Sequence, residues 1–132
     1  MTRGLPPIGR RCCRLAAFVM AATTLAARAD VVGITWDSNA RFETFLSVAP
    51  GKFAEVCGTL AQGQSIAWSF TADRPMNFNV HYHAGKQVVY PAKQDGATRV
   101  EGLLEVSLDQ DYCWMWTNKG AAPAGVRLTL KR

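Results

Sequence analysis

SIAWSFTADRPMNFNVHYH, residues 65–83, holds two alternating runs on either side of Pro75. Ile66, Trp68 and Phe70 share one parity, with Ala67 and Ser69 on the other. Met76, Phe78, Val80 and Tyr82 then alternate with Asn77, Asn79, His81 and His83. A period of two is that of a strand with one face buried. The same pattern continues outward. Phe42, Thr44 and Leu46 oppose Glu43, Phe45 and Ser47, and Lys52–Leu60 carries Phe53 and Val56. Gln87–Tyr90, Val100–Leu108, Tyr112–Thr117 and Val126–Leu130 follow. Gly51, Gly63, Pro75, Gly85, Gly96, Gly120 and Pro123 fall between these runs, where turn chemistry is wanted. After residue 30 no segment sustains a helical stripe, although 37–43 suits a short turn. Seven to eight short antiparallel strands in about 100 residues predict an all-β sandwich in a single domain, 30–132.

Residues 1–29 read differently. They hold Arg3, Arg10, Arg11, Arg14 and Arg28 and no acid, and LAAFVMAATTLAA (15–27) is uncharged. A basic start, a short apolar run and the small pair Ala27 and Ala29 form the pattern of a secretory signal peptide, cleaved before Asp30. As a helix the run would rise roughly 20 Å, too little for a ~30 Å hydrocarbon core. Arg10-Arg11 also fits a twin-arginine signal, although Cys12 and Cys13 stand where that signal has apolar residues. The expected location is periplasmic or secreted, with no transmembrane span in the mature protein.

The formal charge of +5 belongs to this leader. The other 103 residues carry 10 basic and 10 acidic side chains. A body without net charge has no global attraction for a phosphate backbone, so nucleic acid is not expected as a partner. Cleavage leaves two cysteines, Cys57 and Cys113. In an oxidising compartment an even pair most simply forms a disulfide, whereas a pair of thiolate ligands would ordinarily show CxxC spacing.

The stretch from Phe53 to Lys131 resembles the GOLD domain, the lumenal β-sandwich of the emp24/p24 proteins. The likeness runs through Glu55-Val-Cys57, Trp68-Ser-Phe70, Phe78–Lys86, Val88-Val-Tyr-Pro91, Gly102-Leu-Leu104, Asp111-Tyr112-Cys113-Trp114 and Asn118. The resemblance implies that Cys57 pairs with Cys113. It also implies a binding platform, here as a stand-alone exported bacterial version without coiled coil, span or sorting tail. A fold of this kind does not itself give a function.

Three groups of residues carry chemistry. His81 and His83, two apart on a strand, share a face with Asn77 and Asn79. Two imidazoles at that spacing suit copper or zinc, with Met115 as a soft third ligand. The same row is equally a solvated polar face. Tyr112, Trp114 and Trp116 share one parity, and Cys113, Met115 and Thr117 the other. If Cys113 points inward, the tryptophans join Asn79, His81 and His83 on a binding face for protein, lipid or small molecule. The opposite assignment makes the tryptophans core. Asp109 and Asp111 read as solvated turn residues. A catalytic triad, a nucleophile elbow and a phosphate loop are not legible, so the expectation is a non-enzymatic binding module without a cofactor. The rival reading, a small hydrolase-like enzyme, would need His81 and His83 in a pocket with Glu101 or Asp95.

Overall fold

The computed structural model describes Met1 and residues 30–132; the expected signal peptide and its expected cleavage site lie outside the described residues. Seven strands form one curled sheet: β1 (Asp30–Gly33), β2 (Arg41–Val48), β3 (Phe53–Leu60), β4 (Ser65–Ala84), β5 (Gln87–Glu105), β6 (Gln110–Thr117) and β7 (Ala124–Lys131). The order is β1-β3-β6-β4-β7-β2, with β5 along β4. The described residues contain no helix long and apolar enough to cross a membrane.

The sandwich arises because β4 serves both layers. Its first half, Ala67–Ala72, pairs with β7, and its second half, Asn77–His81, pairs with β6. Pro75 stands at the change of layer, where the β4–β5 register also shifts between Thr71 and Met76. A proline lacks the N–H that a ladder requires and is tolerated at bends and bulges. Across from it, Gly96 takes a φ of 68°, and its N–H donates to Asn77 Oδ1 at 3.1 Å. The predicted turn at Pro75 is therefore a bend within one 20-residue strand, and the two runs read around residues 87–108 are likewise one strand, β5. The remaining pairings are antiparallel except β1, which runs parallel to β3. Four residues carry too little pattern to announce that.

The core follows the alternation. Phe42, Leu46 and Val48 from β2, Val56 and Leu60 from β3, and Val126, Leu128 and Leu130 from β7 are buried. Between the layers lie Ile66, Trp68, Phe70, Met76, Phe78 and Val80 from β4, with Tyr112, Trp114 and Trp116 from β6. Each fully buried large apolar side chain contributes roughly 1.5–3 kcal/mol. Trp68 lies against Gly102, its partner across the β4–β5 ladder, and a Cβ there would come within 2.5 Å of the indole.

Below this core Asn118 ties two segments together with three hydrogen bonds. Its Nδ2 donates to Val48 O at 2.9 Å and to Ala122 O at 2.8 Å, and its Oδ1 accepts from Gly120 N at 2.9 Å. The buried amide thereby fixes the end of β2 and the β6–β7 loop.

Candidate functional site

The side chains singled out from the sequence divide between the two faces of the β3-β6-β4 layer. Tyr112, Trp114 and Trp116 are fully buried, so the tryptophans do not belong to a binding face. Cys113 and Met115 point outward and are half-buried. The disulfide between Cys57 and Cys113 is formed, but it joins directly opposed residues of neighbouring strands on the outer surface. It does not cross the core, and this reverses the assignment of β6 that an inward cysteine would impose.

The outer face is a small lattice built by register. One row is Glu55, Met115 and Asn79, on β3, β6 and β4; the next is Cys57, Cys113 and His81. Met115 thus stands beside the asparagine–histidine row. His83 follows on β4, its ring 5.4 Å from that of His81.

His81 is not solvated as a polar strip would be. Only 7 % of its side chain is exposed. Glu55 and His83 adjoin it, and a bulge brings a third neighbour. Val80 pairs with Ala92 and Tyr82 with Val89, so Tyr90 and Pro91 together oppose His81. Two residues facing one is the definition of a bulge, which re-aims side chains. Tyr90 is turned so that its ring lies 6.0 Å from the imidazole. Lys93 in turn lies over the Tyr90 ring at 5.7 Å.

The imidazole is oriented at both nitrogens. Nδ1 donates to Asn79 Oδ1 at 2.8 Å. Nε2 faces Glu55 Oε1 at 3.8 Å, an ion-pair spacing when the ring is protonated and beyond hydrogen-bond reach. Burial lowers the His81 pKa from its ordinary value; Glu55 opposes this and His83 adds to it. Desolvation of the charged ring therefore outweighs the attraction of the carboxylate. A histidine whose folded pKa is depressed contributes stability that is complete above about pH 6.5 and is lost as the pH falls through the folded value. Urea unfolding of the wild type between about pH 7.5 and pH 5 is expected to show a larger loss than that of His81→Gln. Equal losses would place the pH dependence on other groups.

The sequence signalled neither Glu55 nor Tyr90 as part of this site. Glu55 shares parity with Cys57, which was a usable cue; Tyr90 arrives through a bulge, which alternation does not encode. Among the described residues, the cluster of three His, Cys, Asp or Glu side chains close enough to share an ion is Glu55, Cys57 and Cys113. Both its sulfurs are held in the disulfide, so this is not a metal centre in the oxidised protein.

The enzyme constellation is not brought together. Glu101 pairs with Ser69 in the other half of β4 and lines a cleft of about 450 Å³ with Arg41, Trp68 and Thr129. Asp95 is exposed at the β5 bend beside Gly96.

No family model matches the chain, and no curated protein matches it. Solved structures do resemble it. The pre-peptidase C-terminal domain of collagenase from Bacillus anthracis aligns with a TM-score of 0.58 at 15 % identity, over 82 % of this chain and 99 % of that one. PliG of Aeromonas hydrophila, a periplasmic inhibitor of g-type lysozyme, aligns at 0.52 and 14 %, over 80 % of this chain and 100 % of that one. PliG of Salmonella Typhimurium aligns at 0.52 and 7 %, over 79 % and 98 %. At these identities the likeness establishes the shared β-sandwich fold.

Proposed function

We propose that the mature chain is an exported, non-enzymatic module that binds a protein partner through the tip of the β4–β5 hairpin. The observation that carries this reading is the composition of the tip. The pairing of β4 with β6 stops at His81, so beyond it the two strands have only each other in the ladder. Val88, Val89 and Tyr90 are 39, 36 and 51 % exposed there. Consecutive strand residues point to opposite faces, so the tip is apolar on both sides. Its outer edge offers unpaired backbone groups to an incoming strand, and Lys86 and Lys93 flank it. An aromatic anchor within an apolar strip and a polar rim is the composition of a protein-binding hot spot. The GOLD resemblance, a binding platform, supports the same class. So do the solved neighbours, two of which are named as periplasmic lysozyme inhibitors.

Those names make g-type lysozyme the first partner to test. Mature protein titrated into a g-type lysozyme should bind with a micromolar or lower Kd and slow lysis of cell-wall substrate. Tyr90→Ala and Val89→Asp should each weaken binding at least about tenfold, the range of a hot-spot residue. A Kd weaker than about 1 mM, or roughly −4 kcal/mol, would exclude this partner. Full-strength binding by both variants would remove the hairpin from the contact. Recovery of uncleaved protein from the cytosol would overturn the export reading.

A further inference from the structure

We infer that Glu55, Cys57, Cys113 and His81 form a latent metal site, closed by the disulfide and opened by its reduction, whose ligand set suits Zn(II). Two observations converge on it. The first is placement. The ligand atoms of Glu55, Cys57 and Cys113 lie within 4.8 Å of one another. Glu55 reaches in both directions, with Oε2 4.0 Å from Cys57 Sγ and Oε1 3.8 Å from His81 Nε2. His81 is the direct cross-strand neighbour of Cys113. Neighbouring donors around a tetrahedral zinc ion stand roughly 3.3–3.8 Å apart. Once the sulfurs separate, the imidazole, which lies outside that 4.8 Å cluster, swings toward them to close the set.

The second observation is the preparation of His81. Its side chain is 93 % buried, the complement of the 7 % that is exposed. Asn79 accepts the Nδ1 proton and so fixes the tautomer in which Nε2 carries a free lone pair. That is the outer partner a metal-bound imidazole ordinarily has. The lone pair faces Glu55 Oε1 across 3.8 Å, the spacing of two donors on one ion. Three adjacent strands hold the donors, so the backbone of the site is rigid.

The chemistry balances. A dithiol reductant delivers two electrons and two protons to the Cys57–Cys113 bond and leaves as its own disulfide. Zn(II) then displaces the two thiol protons and is held by two thiolates, one imidazole and one carboxylate, a closed set of four. Oxidation by a disulfide donor withdraws two electrons, re-forms the sulfur–sulfur bond and leaves the ion only His81 and Glu55, too few to retain it.

The test uses the mature protein, reduced with a phosphine, freed of reductant without air and titrated with Co(II) as a spectroscopic probe. Reduced protein should take one Co(II) with the intense visible bands and sulfur charge transfer of a tetrahedral thiolate site. Zn(II) should displace it and shield both thiols from alkylation. Oxidised protein and the Cys57→Ala/Cys113→Ala variant should show neither signal, and His81→Ala, which removes a ligand, should weaken binding by more than the roughly 10- to 100-fold that losing an outer partner costs. Binding no tighter in the reduced than in the oxidised protein would overturn the inference, as would unchanged affinity in His81→Ala. Circular dichroism before the titration gives the remaining outcome. A reduced chain that loses its strands and does not regain them with Zn(II) also overturns it, because the site requires β3, β6 and β4 in register.

Discussion

Trp116→Ala is expected to lower stability by about 3–5 kcal/mol, the cost of emptying a large aromatic site in a core that cannot collapse around it. Trp116 is fully buried. In register it stands between Ala54 of β3 and Phe78 of β4. Its ring meets Phe70 edge-on at 5.5 Å and Phe78 at 5.5 Å with 35° between planes. It therefore touches both halves of the long bent strand, and its loss loosens the place where the two layers meet. The indole Nε1 is buried without a hydrogen-bond partner, as is that of Trp114. An unsatisfied buried donor costs roughly 1–3 kcal/mol. Trp116→Phe, which gives up area but removes this orphan, should accordingly lose far less than the alanine variant. Urea midpoints of the two variants separate the volume effect from the polar one. A Trp116→Ala variant within about 1 kcal/mol of wild type would mean that the indole does not hold the layers together. The full loss would be a large share of the roughly 5–15 kcal/mol that a domain of this kind possesses.

The same residue marks how far the sequence could be read. Alternation divides Tyr112–Thr117 into two sets but does not say which set faces inward. The sign comes from the neighbours. Val56 pairs with Trp114 and Ala54 with Trp116, and both are apolar and buried. An inward cysteine looked natural only if the disulfide had to cross the core; two opposed residues of adjacent strands need no such route. Pro75 misled in a similar way. It marks an interruption of hydrogen bonding, and a strand moving from one layer to the other needs that as much as a turn does. The even-numbered core positions from Ile66 to Tyr82 kept their parity through the bend, which was the legible sign of a single strand. The site was legible in part. His81, His83 and Asn79 share a face as period two requires, and Met115 falls beside them. The neighbourhood of His81 was not readable, because Tyr90 arrives beside it from another strand through a bulge. Asn118 entered through a family resemblance, and its role as a buried tie became visible only with Val48 and Ala122 placed around it.

Removing the disulfide with Cys57→Ala/Cys113→Ala should cost about 4 kcal/mol, and the double variant is the informative one because either single change leaves an odd reactive thiol. The bond joins residues 56 apart in sequence. Closing a loop of that size in the unfolded chain is worth roughly 4 kcal/mol in the chain-entropy model. The enclosed loop contains the whole β4–β5 hairpin, while the linked residues already sit opposite one another in the eight-residue β3–β6 ladder. The native contacts around the disulfide therefore persist without it, and the burden falls on the denatured chain. For a domain of this size the melting temperature should fall by roughly 15–30 °C, with an unchanged far-ultraviolet spectrum well below the transition. Kinetics tell where the loss resides. Without the link, β3 must find β6 by closing a long loop before any contact rewards it. The expected change is chiefly slower folding, with unfolding little altered. An increase confined to the unfolding rate would mean that β3–β6 pairing forms after the transition state. A loss below about 1 kcal/mol would mean that the ladder alone holds these two strands together.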